Sequence, residues 1–244
     1  MGNTPSQPPG TTDQLKQSED QLIPETPARA AQRPGLPAGR LAIAVAMVAN
    51  ATSFLLPTSN ITNLLLLGRA PLTTAAYVSG SWLPWILVTT VTLGPLTIWA
   101  GRSAAGQPRP VTARPLARAV YDLIPIFLIA SAIRALLGTH LTLHGSFAGQ
   151  LSSATALASA VGNLPAAAAM LPARPDLLWA AIIATTVGPN LLITGSVATL
   201  ITRLIARDSG VKLSAPQFSV VGAALVPLQL AAATLGLNIT GVLR

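Results

Sequence analysis

The stretch Thr58-Ser59-Asn60-Ile61-Thr62-Asn63 places mostly small polar residues between the apolar runs FLLP (54–57) and LLLLG (64–68). Pro57 lacks a backbone donor and its ring clashes with the preceding helical turn, so a helix is expected to break here. In lipid, the backbone groups freed by such a break are costly, and a break is tolerated only inside protein or beside a water-filled cavity. The stretch therefore predicts a broken helix whose polar side chains face the protein interior.

The composition indicates that lipid surrounds much of this chain. Of its 244 residues, 51% are hydrophobic and only 9% are charged, which is more apolar surface than one soluble core can hide. The 15 Lys and Arg residues against 7 Asp and Glu lie between the apolar segments rather than in a patch interleaved with aromatic residues. We therefore predict an all-α integral membrane protein in contact with the lipid bilayer, and no binding of nucleic acid.

The apolar segments are distributed unevenly along the chain. Residues 1–39 are rich in Pro, Gly, Gln, Ser and Thr and are predicted to form a disordered tail without a signal peptide. Segment 149–171 is weakly apolar and is interrupted at Gly162-Asn163-Leu164-Pro165, which favours a re-entrant helical hairpin over a full span. Five segments are long enough to cross a bilayer as helices, namely 41–67, 76–100, 119–138, 177–205 and 215–237.

Basic residues predict the orientation in an inner or plasma membrane. The loop after the second span carries Arg102, Arg109, Arg114 and Arg118 and no acidic residue, so we place it in the cytoplasm together with the N-terminal tail. If 149–171 enters and leaves on one side, the basic loop 206–214 also lies inside. The C-terminus is then external.

The polar interruption has a second copy. A shift of 136 positions aligns 54–65 with 190–201 and matches Leu55 with Leu191, Leu56 with Leu192, Thr58 with Thr194 and Leu64 with Leu200. Gly188, Pro189 and Gly195 can break the second helix as Pro57 breaks the first. Because the two spans are predicted to run in opposite directions, the pair is typical of an inverted-repeat secondary transporter.

Small polar and helix-breaking residues at the two breaks and the hairpin tip form the candidate binding site. Amide groups at the start of a half-helix suit an anionic or oxygen-rich solute, and free carbonyl groups suit a cation such as sodium. Alternatively, any one of these residues could serve only to kink or pack a membrane helix. The candidates are Thr58, Ser59, Asn60, Thr62, Asn63, Gly162, Asn163, Pro165, Gly188, Asn190, Thr194, Gly195 and Ser196.

Three motifs carry a family resemblance. LLPTSNITNLLLLG (55–68), AVGNLPAAAAM (160–170) and GPNLLITGSVATLI (188–201) resemble the arsenite and antimonite permeases of the ion transporter superfamily, which includes citrate-type and divalent anion:sodium symporters. The resemblance covers about 41–237. It implies an inverted-repeat transporter that moves an anion or a metalloid oxyacid by an elevator-like motion. Gly162-Asn163 stands where the family usually has a doubled Asn, and the spacing from Thr194 to Gly195-Ser196 is shorter than in the family. These two departures leave the identity of the solute open.

The same resemblance divides the chain and leaves an alternative open. It implies the end of a first repeat at 40–100, a basic cytoplasmic linker at 101–118 and a complete second repeat at 119–244. Members of that family have further helices and a second hairpin before the first break, where this chain has a polar tail. The chain could therefore be a fragment, a truncated gene product, or a non-transporting or incomplete membrane subunit that needs a partner, such as a second transporter half or another copy of itself.

An enzyme is not expected. The chain has no Cys, no Asp or Glu deep within a predicted span, and only two His residues. His140 and His144 lie in a short loop bracketed by glycines, which favours neither a metal site nor a catalytic base. No cofactor is expected beyond a coupling Na⁺ or H⁺.

Overall fold

The computed structural model describes residues 38–68, 72–101, 141–143, 145–172 and 174–243. Most of the predicted tail and basic linker, the predicted span 119–138, and both His140 and His144 lie outside these residues. Within the described part, the chain forms eight α-helices, two short 3₁₀ turns and one pair of three-residue strands. The prediction of an all-helical fold is thus confirmed apart from these two short strands.

The first broken helix consists of α1 (Ala38–Ala51), a 3₁₀ turn (Pro57–Ser59) and α2 (Ile61–Leu67). Helix α1 begins at Ala38, slightly before the predicted end of the tail at residue 39. Helix α3 (Thr74–Gly101) follows and carries two internal prolines, Pro84 and Pro95.

The central segment forms two helices that share one sharp bend. Strand β1 (Leu141–Leu143) leads to α4 (Phe147–Val161), and α5 (Asn163–Ala169) leads to strand β2 (Met170–Pro172). The bend is at Gly162, whose φ of 92° favours glycine. The strands pair in parallel, with Leu141 opposite Met170 and Leu143 opposite Pro172. The segment therefore returns to the place where it started, as a hairpin must.

The second broken helix repeats the plan of the first. It consists of α6 (Pro175–Val187), a 3₁₀ turn (Gly188–Leu191) and α7 (Val197–Asp208), and it is followed by α8 (Ala215–Ile239). Each broken helix is thus followed by one long helix, α3 or α8. The polar interruptions of the sequence lie at the two breaks.

Helix α6 is the centre of the fold, since every residue from Leu177 to Val187 is buried. Helix α6 packs on α4, α5 and α2, whereas α1 packs on α7, so each half of one broken helix meets the opposite half of the other. The long helices α3 and α8 also pack together, and Gln229 Nε2 donates to Thr92 Oγ1 at 2.8 Å between them.

Two helices of the described part are long and apolar enough to cross a membrane, at Thr74–Ala100 and Ala215–Ile239. They correspond to two of the five predicted spans and are compatible with membrane association. The predicted spans 41–67 and 177–205 are each divided into two shorter helices, because their breaks interrupt the backbone hydrogen bonds of the helix.

Candidate functional site: two helix breaks and a hairpin tip

The two breaks follow the same backbone path when the chain is shifted by 136 positions. Leu56 has φ −113° and ψ 151°, and Leu192, its equivalent, has φ −126° and ψ 140°. After each leucine the chain closes the same turn: Ser59 N–H donates to Leu56 O at 3.1 Å, and Gly195 N–H donates to Leu192 O at 2.8 Å. The weak sequence repeat therefore has a structural counterpart.

Equivalent residues also cap the two half-helices. Asn60 is the N-cap of α2 and its side-chain oxygen accepts from Thr62 N–H at 3.1 Å. Ser196 is the N-cap of α7 and its Oγ accepts from Thr199 N–H at 3.0 Å. Both side chains satisfy amide groups that the start of a helix leaves unpaired.

At the first break, side chains of α3 bond the freed carbonyl groups. The three donors are spaced four residues apart, which places them on one face of α3. The expectation of free carbonyl groups for a cation is therefore not met at these three positions. Tyr77 Oη donates to Phe54 O, Ser81 Oγ to Leu55 O and Trp85 Nε1 to Thr52 O, each at 2.8 Å.

The remaining candidates at the first break divide into surface and buried groups. Thr58 and Ser59 are exposed. Thr62 and Asn63 are fully buried, and Asn63 Nδ2 donates to Ser53 O at 3.0 Å. Thr62 Oγ1 and Asn63 Oδ1 have no hydrogen-bond partner. The polar groups of this break thus serve mainly its own backbone.

The second break holds a buried polar group that we call the asparagine cluster: Asn50, Asn190, Ser196 and Thr199. Asn50 Nδ2 donates to both Asn190 Oδ1 and Thr199 Oγ1 at 2.9 Å, and Asn50 Oδ1 accepts from Ser196 Oγ at 2.7 Å. Asn190 Nδ2 also reaches the carbonyl oxygen of Met47 at 3.2 Å. The cluster thus ties α1 to the start of α7 through the side chains of Asn50, Ser196 and Thr199.

Asn50 was missed in the sequence analysis, although it is the centre of this cluster. It ends the run LAIAVAMVAN (41–50), where it is the only strongly polar side chain. An amide in such an apolar helix usually finds a partner on another helix. That isolation was the signal that could have identified it.

The hairpin tip lies against the second break. Asn163 N–H donates to Gly195 O at 2.9 Å, and Ser159 Oγ donates to Gly188 O at 2.8 Å. Between tip and break is a cavity of about 180 Å³, somewhat larger than the roughly 150 Å³ cavity that holds benzene in another protein. Its lining is uncharged: Val161, Gly162, Asn163, Pro165, Thr194, Ser196, Val197 and Leu200.

Five of the predicted site residues therefore meet at one cavity, namely Gly162, Asn163, Pro165, Thr194 and Ser196. Gly188, Asn190 and Gly195 are buried in the same break but do not line the cavity. The candidates of the first break do not line this cavity. Ser196 belongs to both the cavity wall and the asparagine cluster, so Asn50 positions a residue of the wall without lining it.

Two glycines allow the second break to pack. A Cβ atom on Gly222 of α8 would overlap the carbonyl oxygen of Asn190, and one on Gly195 would lie 2.6 Å from Pro189 O. Any side chain at either position would push the break out of place.

The base of the hairpin carries an ion pair. Arg174 contacts Asp176 at 2.8 Å and also donates to Gly145 O at 3.2 Å. The hydrogen bond from Arg174 lowers the pKa of the Asp176 carboxyl below its usual range. Among the described residues, no group of three His, Cys, Asp or Glu side chains could hold a metal ion.

Comparison with protein-family models, curated proteins and solved structures gives no match for this chain. The fold defines a predominantly helical protein with two helices compatible with membrane association. Within it, the site is a small uncharged cavity between a hairpin tip and a helix break.

Proposed function

We propose that the chain is a polytopic membrane protein with about five membrane-crossing segments, two of them broken, and one re-entrant hairpin. Exposed apolar surface supports this placement: Val220, Ile98 and Ile239 are 71%, 66% and 60% exposed. Only 28% of the most apolar part of α3 and 39% of that of α8 is buried. A core helix of a soluble protein would be mostly covered, whereas lipid accepts such a surface.

Within that membrane, the proposed function is secondary transport of a small anion or metalloid oxyacid, as in the arsenite permeases that the motifs resemble. The observation that carries the proposal is the cavity at the hairpin tip, which lies beside one of two helix breaks with the same backbone path. Paired breaks of this kind in inverted halves are the usual binding site of secondary transporters.

The chemistry of the cavity limits the kinds of solute that fit it. The polar residues of its lining are Asn163, Thr194 and Ser196, and it has no charged side chain. Because the Ser196 hydroxyl already bonds Asn50 and Thr199, Asn163 and Thr194 are left to bind a solute. An uncharged amide and hydroxyl suit a small neutral oxyacid or a monoanion. A multiply charged solute would meet no opposite charge there. The coupling ion, Na⁺ or H⁺, is left open by this proposal, and no enzymatic step is part of it.

Uptake of radiolabelled arsenite, citrate and succinate into proteoliposomes tests this function under imposed sodium and proton gradients. We expect gradient-dependent uptake of the oxyacid, and loss of most of it in Asn163→Ala, because Asn163 lines the cavity. Asn238→Ala is the matched control, since the side chain of that exposed asparagine bonds Thr234 O of its own helix, α8.

Two results would contradict the proposal. One is that Asn163→Ala takes up the oxyacid as well as Asn238→Ala does. The other is a folded, reconstituted protein without uptake of any of the three solutes. The second result would favour the alternative of an incomplete membrane subunit.

A further inference from the structure

Basic residues gather at the end of the fold where α1 begins and α7 ends. Arg40 lies in the first turn of α1, and a Cβ atom on its neighbour Gly39 would lie 2.9 Å from Lys212 O. The loop after α7 therefore packs against the start of α1 and brings the exposed Lys212 next to it. Arg207, in the last turn of α7, adds a further exposed cation to this end, beside the acidic Asp208.

Arg40 forms one wall of an open pocket beside the end of α3. Its guanidinium carbon lies 5.5 Å from the centre of the Trp99 ring, a distance at which a cation is attracted to the face of the ring. The pocket has a volume of about 660 Å³, and its other lining residues are Gly94, Pro95 and Ile98. Ile98 is 66% exposed. The pocket thus combines one cation with an apolar wall.

The sequence on both sides of this pocket cannot supply an anion for Arg40. Residues 26–40, which lead into α1, contain three arginines, and residues 99–118, which continue from the end of α3, contain four more. Neither range contains Asp or Glu. Of the two acidic residues in the described part of the chain, Asp176 pairs with Arg174, and Asp208 does not line the pocket. The neighbouring sequence therefore adds positive charge, which favours an anion from outside the chain.

We propose that this pocket, between Arg40 of α1 and Trp99 of α3, binds an anionic phospholipid. The headgroup phosphate lies at Arg40, whose guanidinium carries several donors in a geometry that matches phosphate oxygens. An acyl chain lies along Pro95 and Ile98, and the Trp99 ring is at the boundary between the two, where tryptophan is common in membrane proteins. A free phosphate ion would leave the apolar wall unused, whereas a phospholipid occupies both parts of the pocket.

This inference rests on the membrane placement in the proposed function but not on transport. The basic residues predict that this end of the fold lies in the cytoplasm. Anionic lipids give the cytoplasmic leaflet a negative surface potential, which attracts basic groups close to the membrane. The proposed lipid is thus available on the side where the pocket is expected.

Quenching of tryptophan fluorescence by brominated lipids tests the proposal, because bromine atoms on an acyl chain quench only a nearby indole ring. The full-length chain is reconstituted in phosphatidylcholine bilayers with a small fraction of brominated phosphatidylglycerol or, in a parallel series, of brominated phosphatidylcholine. The signal of Trp99 is the difference between a chain with Trp99 and the same chain with Trp99→Phe, which keeps an aromatic ring in the pocket.

Two substitutions are compared in this assay. Arg40→Gln removes the cation of the pocket, and Arg207→Gln removes an equal charge at the same end of the fold but outside the pocket. We expect phosphatidylglycerol to quench Trp99 several-fold more strongly than phosphatidylcholine at equal fraction, in a saturable manner. Arg40→Gln should make the two lipids equal, whereas Arg207→Gln should keep most of the difference.

Three results would overturn the lipid site. Equal quenching of Trp99 by both lipids in the parent chain would mean ordinary lipid contact without recognition of the headgroup. Quenching by neither lipid would mean that other residues of the protein cover the pocket. Equal loss of the preference in Arg40→Gln and Arg207→Gln would mean attraction by the whole basic surface.

The Trp99→Phe chain tests the membrane placement separately. Its Trp82, on α3, is 47% exposed, so bilayers made mainly of brominated phosphatidylcholine should quench the remaining fluorescence. Absence of that quenching would contradict the membrane placement itself. Quenching there without a lipid preference at Trp99 would overturn only the phospholipid site.

Discussion

Side chains of α3 bond the backbone of the first break, whereas at the second break an asparagine cluster joins side chain to side chain across α1 and α7. The backbone paths are alike, with Leu56 matching Leu192 and Asn60 matching Ser196. The first break thus has its carbonyl groups occupied, and the second has a cavity and a hairpin tip beside it. The comparison teaches that one local sequence pattern can form either a structural joint or the wall of a cavity, depending on what packs against it.

The largest expected effect that separates the two breaks comes from Gly222→Ala. The new methyl group would overlap Asn190 O, so the second break must shift while the first keeps its contacts. Overpacking of this kind costs about 1–3 kcal/mol or more. Thermal unfolding in detergent should show a clear loss of stability, and oxyacid uptake should fall with it.

Gly94→Ala is the matched control for that substitution, because no atom lies within 4 Å of a Cβ at this helical position in α3. Its stability should stay unchanged or rise slightly, since alanine favours the helix. Similar losses in both variants would show that α8 does not press on the second break.

Asn50→Ala should have the next largest effect on stability. It removes the central amide of the cluster and leaves the buried Asn190 Oδ1 without its donor, which costs about 1–3 kcal/mol. Because Asn50 does not line the cavity but positions Ser196, the apparent KM for the solute should rise more than the maximal rate falls.

Asn238→Ala, on the exposed side of α8, serves as the control for Asn50→Ala in both measurements. If Asn50→Ala matched it in unfolding temperature and in KM, the cluster would have no role in holding the second break.

Tyr77→Phe tests whether the first break has a structural role alone. It removes the donor to Phe54 O and keeps the ring, which stacks on Trp179 with centroids 5.1 Å apart. The loss of one buried hydrogen bond costs about 1 kcal/mol. A small drop in unfolding temperature with unchanged uptake is the expected result, and a loss of uptake in a stable protein would assign this break a direct role in the solute site.

The smallest effect concerns the base of the hairpin, which in the described part of the chain lies beside the second break. Since Arg174 lowers the pKa of Asp176, the pair stabilises the folded chain above the usual range of Asp and ceases to do so as the pH falls through the lowered pKa. Because Arg174 is 54% exposed and Asp176 is 26% exposed, solvent screens the pair and the effect should be slight. The free energy of unfolding, measured between about pH 6 and 3, should therefore fall a little more steeply with decreasing pH in the parent chain than in Asp176→Asn.

The sequence predicted the breaks because their signals are local. Pro57 and Pro189 remove backbone donors, and Asn60 and Ser196 are good helix caps, so both interruptions and their 136-residue register could be found without a structure. The bend at Gly162 was found in the same way. Five of the candidate site residues meet at the cavity for this reason.

The remaining features depend on contacts between distant residues. No local pattern shows that Asn50 meets Thr199, or that Tyr77, Ser81 and Trp85 bond the first break. Strands β1 and β2 were missed because three residues are too few to show a period and their pairing joins residues far apart in sequence. The number of membrane crossings also depends on tertiary context, since a broken helix is shorter than its apolar run.

The parallel pairing of β1 with β2 has a consequence for the rest of the chain. It fastens the entry and exit of the hairpin side by side, so that α4 and α5 return the chain to the side from which they start. In the proposed membrane placement, the orientation of α6, α7 and α8 depends on this pairing. If the pairing were lost and α4 and α5 formed one straight helix, these three helices would be inserted in the opposite orientation, and the C-terminus would lie on the other side of the membrane.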